Sequence, residues 1–184
     1  MPDSGKTQFD ALVMAHLPVL YRVAYRLVRN AADAQDLVQD TCVVACQRLR
    51  ELAATDFPLR WLLRVQQNRF IDGVRRKRSS PLVAAPDTEE AASPIGELLD
   101  PELLLQRAQD EELLEQAFLE LDAVQRTLLG LRIEGYDLPE IEAITGVDRK
   151  VLSKRLLRAR RSLMRHLMEL KQAAQGGRRA GSNP

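Results

Sequence analysis

The sequence predicts an all-α protein made of two small helical domains joined by a flexible acidic linker. Apolar residues recur at steps of three and four through both halves of the chain, and nowhere alternate long enough to suggest a strand. Hydrophobic residues make up 45% of the chain and aromatics only 4%, a balance that suits aliphatic cores between helices. Between positions 79 and 100 the periodicity lapses into Ser, Pro, Ala and acid, with Pro81, Pro86 and Pro94 in the stretch. A length of 184 residues accommodates two such domains.

Residues 1–8 read as a loose start, and the first domain spans 9–78. Phe9, Leu12 and Val13 open an apolar pattern that continues through Leu17, Leu20, Ala24, Leu27 and Val28, with Pro18 marking a kink or a boundary between two helices. Asn30 is placed to cap the next helix, and Asp33 lies in its first turn, where a carboxylate suits the helix dipole. Leu37, Val38, Cys42, Ala45, Leu49 and Leu52 then face a core, while Asp33, Asp36, Asp40 and Gln47 share another face. A solvated acidic surface accounts for that face, and so does a docking surface for basic helices of a partner.

Pro58 suits the first turn of a further helix that extends to about Arg78. Leu59, Leu63, Phe70 and Val74 form its apolar stripe, and Arg60, Arg64, Gln67, Asn68 and Arg75 its polar flank. Arg75, Arg76, Lys77 and Arg78 end it with a cluster that attracts phosphates by counterion release. Trp61 is the only tryptophan; it can pack at the core edge, or, beside Arg and Asn, hold unstacked bases of a single strand.

After the linker, Asp100, Pro101 and Glu102 read as cap, first-turn proline and first-turn acid of a second domain spanning 101–171. Leu104, Ala108, Leu114, Ala117, Phe118 and Leu121 carry one helix, and Val124, Leu128, Leu129 and Leu131 a shorter one before Gly135. Two helices joined by a tight turn follow. Leu138, Ile141 and Ile144 belong to the first, Gly146 stops it, and Asp148 caps the second, whose apolar residues run through Leu152, Leu156, Ala159, Leu163, Leu167 and Leu170. Lys150, Lys154, Arg158, Arg161 and Arg165 populate the opposite side. A helix-turn-helix presents the start of its second helix to the DNA major groove, which selects Arg149, Lys150, Ser153 and Lys154 for bases and Arg155 and Arg158 for phosphates. The tail, 172–184, reads as disordered.

Charge is distributed unevenly behind a formal net of +1. Lys and Arg outnumber Asp and Glu by 13 to 8 over residues 1–79 and by 13 to 6 over 126–184, whereas acids lead 12 to 1 in between. No run of eighteen apolar residues and no signal-peptide core is present, so the expectation is a cytoplasmic protein without membrane insertion. Cys42 and Cys46 are expected to be small buried hydrophobes, with a redox switch as the other use of such a pair. His16 and His166 stand alone, and neither a metal-ligand cluster, a phosphate loop nor a nucleophile elbow occurs. The expectation is therefore no metal, no cofactor and no enzyme.

The order of these parts resembles the extracytoplasmic-function (ECF) sigma factors of the sigma-70 family, over roughly residues 9–170. The carrying residues are Asp36-Leu37-Val38-Gln39-Asp40-Thr41, close to the family's D-L-V-Q-E-T, then Trp61-Leu62, Gln67-Asn68-Arg69 and Ile71-Asp72 leading into the basic run. Glu134-Gly135-Tyr136, Glu140-Ile141, Ile144, Gly146-Val147 and Arg158-Ala159-Arg160 follow its C-terminal pattern. The resemblance implies recruitment of core RNA polymerase to promoter DNA and the start of strand opening. It places Asp36, Leu37, Gln39 and Asp40 against the polymerase clamp, and Trp61, Asn68, Arg69, Arg75, Arg76, Lys77 and Arg78 at the −10 element. Arg149, Lys150, Ser153, Lys154, Arg155 and Arg158 fall at the −35 element, and an anti-sigma factor is an implied partner.

Three positions depart from the family pattern: Glu142 where Ala is usual, Lys150-Val151 for Gly-Thr, and Leu121-Asp122 for Leu-Pro ahead of Arg126. A glutamate at a close helix contact has to tilt outward or open the angle between the helices. That departure favours one alternative, a sigma-like decoy that sequesters an anti-sigma protein. A stand-alone helix-turn-helix repressor is another, but it leaves the acidic face without a role.

Overall fold

The computed structural model describes residues 3–79 and 101–180, with side chains described over 5–77 and 109–174. Every element among them is helical. The N-terminal module comprises α1 (Asp3–Val13), a 3-10 turn (Met14–His16), α2 (Leu17–Val28), α3 (Ala31–Gln47), α4 (Leu49–Ala53) and α5 (Pro58–Ser79). The C-terminal module comprises α6 (Pro101–Leu119), α7 (Ala123–Ile133), α8 (Leu138–Thr145) and α9 (Arg149–Ala180).

Local chemistry sets most of these boundaries. Pro18 sits in the first turn of α2, where its missing N–H costs nothing. Asn30 caps α3 by accepting the Asp33 N–H at 2.9 Å, and Asp122 caps α7 by accepting the Gln125 N–H at 2.8 Å. Asp137 and Glu140 form a reciprocal capping box on α8, each side chain accepting the other's N–H at 2.8 Å. Gly146 ends α8 at φ 70°, a conformation that costs any other residue more. Arg29 ends α2 at φ 54°, the only positive φ at a non-glycine among the described residues.

The two modules pack on one another, and their buried side chains form one continuous cluster. Val13, Leu20, Leu27, Leu52, Leu62 and Leu63 fill the first half, and Leu121, Leu128, Ile141, Ile144 and Leu152 the second, each at most 1% exposed. Full burial of each such side chain contributes roughly 1.5–3 kcal/mol. At the junction α7 approaches α2 closely: a Cβ on Gly130 would lie 3.4 Å from the Leu27 side chain. Arg126 of α7 donates to the Leu27 carbonyl at 3.1 Å and to the Leu119 and Leu121 carbonyls, with its guanidinium 5.6 Å from the Phe70 ring centre.

Polar contacts surround that apolar junction. Arg22 and Arg26 of α2 both donate to the Glu134 carboxylate, Arg26 at 2.6 Å, and Arg29 pairs with Glu115. Arg64 of α5 donates to the Ile144 carbonyl at 3.1 Å and the Ala143 carbonyl at 2.8 Å, while Gln67 donates to the same Ile144 carbonyl at 2.8 Å. These carbonyls end α8, where the helix dipole favours a cation.

Several sequence expectations differ from the structure. The helix from Asn30 is interrupted at Arg48, so Leu49 and Leu52 belong to the separate α4. Gln67, predicted on a polar flank, is 5% exposed because the C-terminal module covers it. The tail is helical to Ala180. Lys171 pairs with Asp110 of α6 at 2.8 Å, and the helix-favouring Gln172, Ala173 and Ala174 follow that anchor. Residues 5–28 have a composition apolar enough to cross a membrane. A 3-10 turn divides them, however, and Val13, Leu20, Val23, Ala24 and Leu27 are committed to the core. Linker positions 80–100 lie outside the described residues.

Candidate nucleic-acid interface

The α8–α9 pair is a closed helix-turn-helix. Ile141, Ile144, Leu152 and Ala159 are fully buried between the helices and the rest of the module. Glu142 tilts outward and accepts the Arg149 backbone N–H at 3.1 Å, so the unusual side chain satisfies an N–H that the start of α9 would leave unpaired. Asp148 does the same for the Lys150 N–H at 2.8 Å. Asp122, in the position where the family has Pro, caps α7. The two acidic departures, Glu142 and Asp122, thus each close a helix end.

All six helix-turn-helix residues selected from sequence are exposed: Arg149, Lys150, Ser153, Lys154, Arg155 and Arg158. At 100° per residue, Lys150, Ser153 and Lys154 occupy about 100° of arc opposite buried Leu152, Leu156 and Ala159. Arg158 flanks them on one side, and Arg149 and Arg155 stand at the two borders with the buried face. The arc is wide enough to meet base edges and phosphates together.

On α5, Trp61, Asn68 and Arg75 fall on one stripe, within about 40° of arc. Asn68 and Arg75 are exposed, whereas Trp61 is half-buried and packs against the core. Arg69 is half-buried on a neighbouring stripe, and Arg76 and Lys77 are exposed near the helix end. Arg78 belongs to α5 by its backbone, and its side chain lies outside the described residues.

Phe57 was not selected from sequence. It is 55% exposed just before α5, held where its N–H donates to Thr55 Oγ1 at 3.2 Å, and the Arg60 guanidinium lies 4.3 Å from its ring centre. An exposed ring under a guanidinium, four residues before Trp61, offers a flat apolar face beside a cation, which suits a stacked base. The signal was the Asp56-Phe57-Pro58 turn ahead of the helix, where a lone Phe has no periodic partner to identify it as core.

On α3, Asp36, Gln39 and Asp40 are exposed and share about 100° of arc. Leu37 is 8% exposed and packs inward, so it holds α3 in place rather than presenting a surface. Asp33 lies 3.9 Å from Lys77, which ties the start of α3 to the end of α5. Cys46 is exposed rather than buried as the sequence suggested; Cys42 is half-buried, and burial pushes its thiol pKa up, which lowers its thiolate content. Among the described residues no cluster of three His, Cys, Asp or Glu could hold a metal.

Residues 12–80 match the family Sigma-70 region 2, which covers the end of α1 through α5. The chain is 32% identical over 162 residues to ECF RNA polymerase sigma factor SigL of Mycobacterium tuberculosis, covering 87% of this chain and 89% of that one. It is 31% identical over 160 residues to ECF RNA polymerase sigma factor SigE of Mycolicibacterium smegmatis, where it spans 86% of itself but 61% of the relative's length. Among solved structures it resembles the sigma factor RpoE of Bartonella quintana, crystallised with the anti-sigma factor NepR. The TM-score is 0.64 at 26% identity, over 87% of this chain and 96% of that chain.

Proposed function

The chain belongs to the extracytoplasmic-function sigma factors of the sigma-70 family, and from that premise we propose that it carries core RNA polymerase to promoters and begins their melting. The observation that carries this reading is the division of exposed chemistry between the modules. One module holds an acidic helix and an aromatic-arginine corner, and the other a closed helix-turn-helix with a basic outward face. Asp36, Gln39 and Asp40 suit a basic docking surface on the polymerase, with Leu37 supporting their helix from within.

Trp61, Asn68, Arg69, Arg75, Arg76, Lys77 and Arg78, joined by Phe57, take the −10 strand in this assignment, because opened bases need an aromatic surface and their backbone needs cations. Arg149, Lys150, Ser153, Lys154, Arg155 and Arg158 take the −35 duplex. Two modest contacts on one polymerase reinforce each other through effective concentration, so neither module has to bind tightly alone. A cytoplasmic location follows from the polymerase. An anti-sigma partner is supported by the similar RpoE, which was crystallised with one.

A decoy role loses its motive, since the altered residue Glu142 caps α9 rather than forcing the turn open. The test is co-purification with core RNA polymerase followed by sequencing of transcript 5′ ends. A set of starts sharing a common upstream sequence supports the proposal, and a chain that fails to join the polymerase overturns it.

A further inference from the structure

Cys42 and Cys46 lie on one stripe near the end of α3, one helical turn and about 40° of arc apart. Both are free thiols, and an intact helix does not allow a disulfide between them. Cβ atoms at this spacing stand about 5–6 Å apart, whereas a disulfide needs about 3.5–4.5 Å. The same spacing suits one ion held between two sulfurs. Metal–thiolate bonds of about 2.3 Å set the sulfurs of a linear S–metal–S unit about 4.6 Å apart, a span the two side chains reach by leaning together. Cys42 packs against the core, and Cys46 opens onto a surface hollow shared with Arg48, Arg50 and Glu51. Glu51 stands 3.8 Å from Arg48, so two cations meet one anion there and the hollow keeps a positive balance. Among the described residues no group of three His, Cys, Asp or Glu could hold a metal, so nothing there adds a third ligand to the pair. Zinc takes four ligands and would be underligated. Two thiolates alone select a soft ion that is stable with two sulfurs, of which Cu(I) is the biological example.

We propose that Cys42 and Cys46 form a two-thiolate site on α3 for a single soft monovalent cation of the Cu(I) class. Binding replaces two thiol protons by one cation, so a neutral pair becomes a singly negative complex and both protons are released to solvent. The excess of Arg48 and Arg50 over Glu51 in the hollow offsets that charge. Burial pushes the Cys42 thiol pKa up and opposes the loss of its proton, but a coordinated cation deprotonates a thiol outright. The exposed Cys46 gives the ion its entry, and the core side of Cys42 keeps water from one flank of the bound complex. Cys46 also follows Gln39 by seven residues, about 20° of arc away. The bound ion therefore adds its negative complex at the edge of the surface assigned to the polymerase.

The test is anaerobic titration of the reduced full chain with Cu(I) against a chromophoric Cu(I) chelator. The chain should withdraw one Cu(I) per molecule, and loading should protect both thiols from a thiol-specific disulfide reagent. Cys42→Ala and Cys46→Ser, each with an unchanged helical circular dichroism spectrum, should weaken retention by more than the roughly tenfold that loss of an outer-shell partner costs. Cys42→Ala combined with Gln39→Cys keeps two thiols on that side of α3 but about 10.5 Å apart along the helix. It should retain no more Cu(I) than Cys42→Ala alone, although the number of thiols is restored. A roughly tenfold excess of Zn(II) should leave the Cu(I) in place. Failure to withdraw Cu(I), one ion shared between two chains, displacement by Zn(II), or equal retention by the widely spaced pair overturns the proposal, the last by marking adventitious thiol binding only. No polymerase enters these measurements, so promoter-directed transcription is decided separately.

Discussion

Glu142 reaches across the turn between α8 and α9 to accept the Arg149 N–H at 3.1 Å. A residue that stands out in sequence as a misfit at a helix contact is therefore part of the start of α9 itself. Replacing it by Ala leaves that N–H without its acceptor, and loss of a cap of this kind costs about 1 kcal/mol. Urea unfolding of Glu142→Ala should show that loss, and Glu142→Gln should recover most of it. Equal stability of Glu142→Ala and the parent chain would show that the cap contributes nothing.

Acid should open the junction through Glu134. Burial pushes this carboxyl up, but hydrogen bonds from Arg22 and Arg26 and their charges outweigh it and leave its pKa below the ordinary 4.5. A depressed carboxylate contributes stability that is complete above its unfolded pKa and is lost as pH falls through the folded one. Unfolding free energy should therefore be insensitive to this group near neutrality and decline below about pH 4.5, at up to about 1.4 kcal/mol per pH unit. Glu134→Gln should remove this component from the acid limb. An acid limb identical in the two proteins would contradict the assignment.

Phe57 should matter for strand opening and little for folding. It is 55% exposed, so Phe57→Ala should change stability by less than about 0.5 kcal/mol. A lost base stack is worth about 1–3 kcal/mol, which predicts a fall in open-complex formation of roughly 5- to 160-fold. Permanganate reactivity of unpaired thymines reads this directly. Full reactivity in the variant would remove Phe57 from the strand-handling surface.

The acidic side of α3 should govern polymerase association. Asp36→Lys with Asp40→Lys reverses two exposed charges while Leu37 keeps the helix packed. The expected result is weaker co-purification with core polymerase and an altered salt dependence, with the helical circular dichroism spectrum unchanged. Retention equal to the parent would place the polymerase contact elsewhere.

Much of this fold was legible because its signals are local. Asn30, Asp137 and Gly146 announce helix ends by their own chemistry, and the exposed basic face of α9 follows from the spacing of Leu152, Leu156 and Ala159. What the sequence hid depends on the other module. Gln67 has an ordinary polar pattern and is buried only because α8 ends over it. Glu134 lies more than a hundred residues from Arg22 and Arg26, and no periodicity connects them. Arg48 interrupts α3 without a Gly or Pro to mark the place. Phe57 is unmarked in the sequence because a lone exposed ring carries no helical spacing.

Run-off transcription by core RNA polymerase, on a template bearing an upstream sequence shared by the mapped starts, is the most direct measurement of promoter recognition. The expected result is a discrete product that requires this chain and falls sharply when Lys150→Ala and Lys154→Ala are combined. A chain that binds polymerase but yields no promoter-dependent product, or a product indifferent to both lysines, would contradict it.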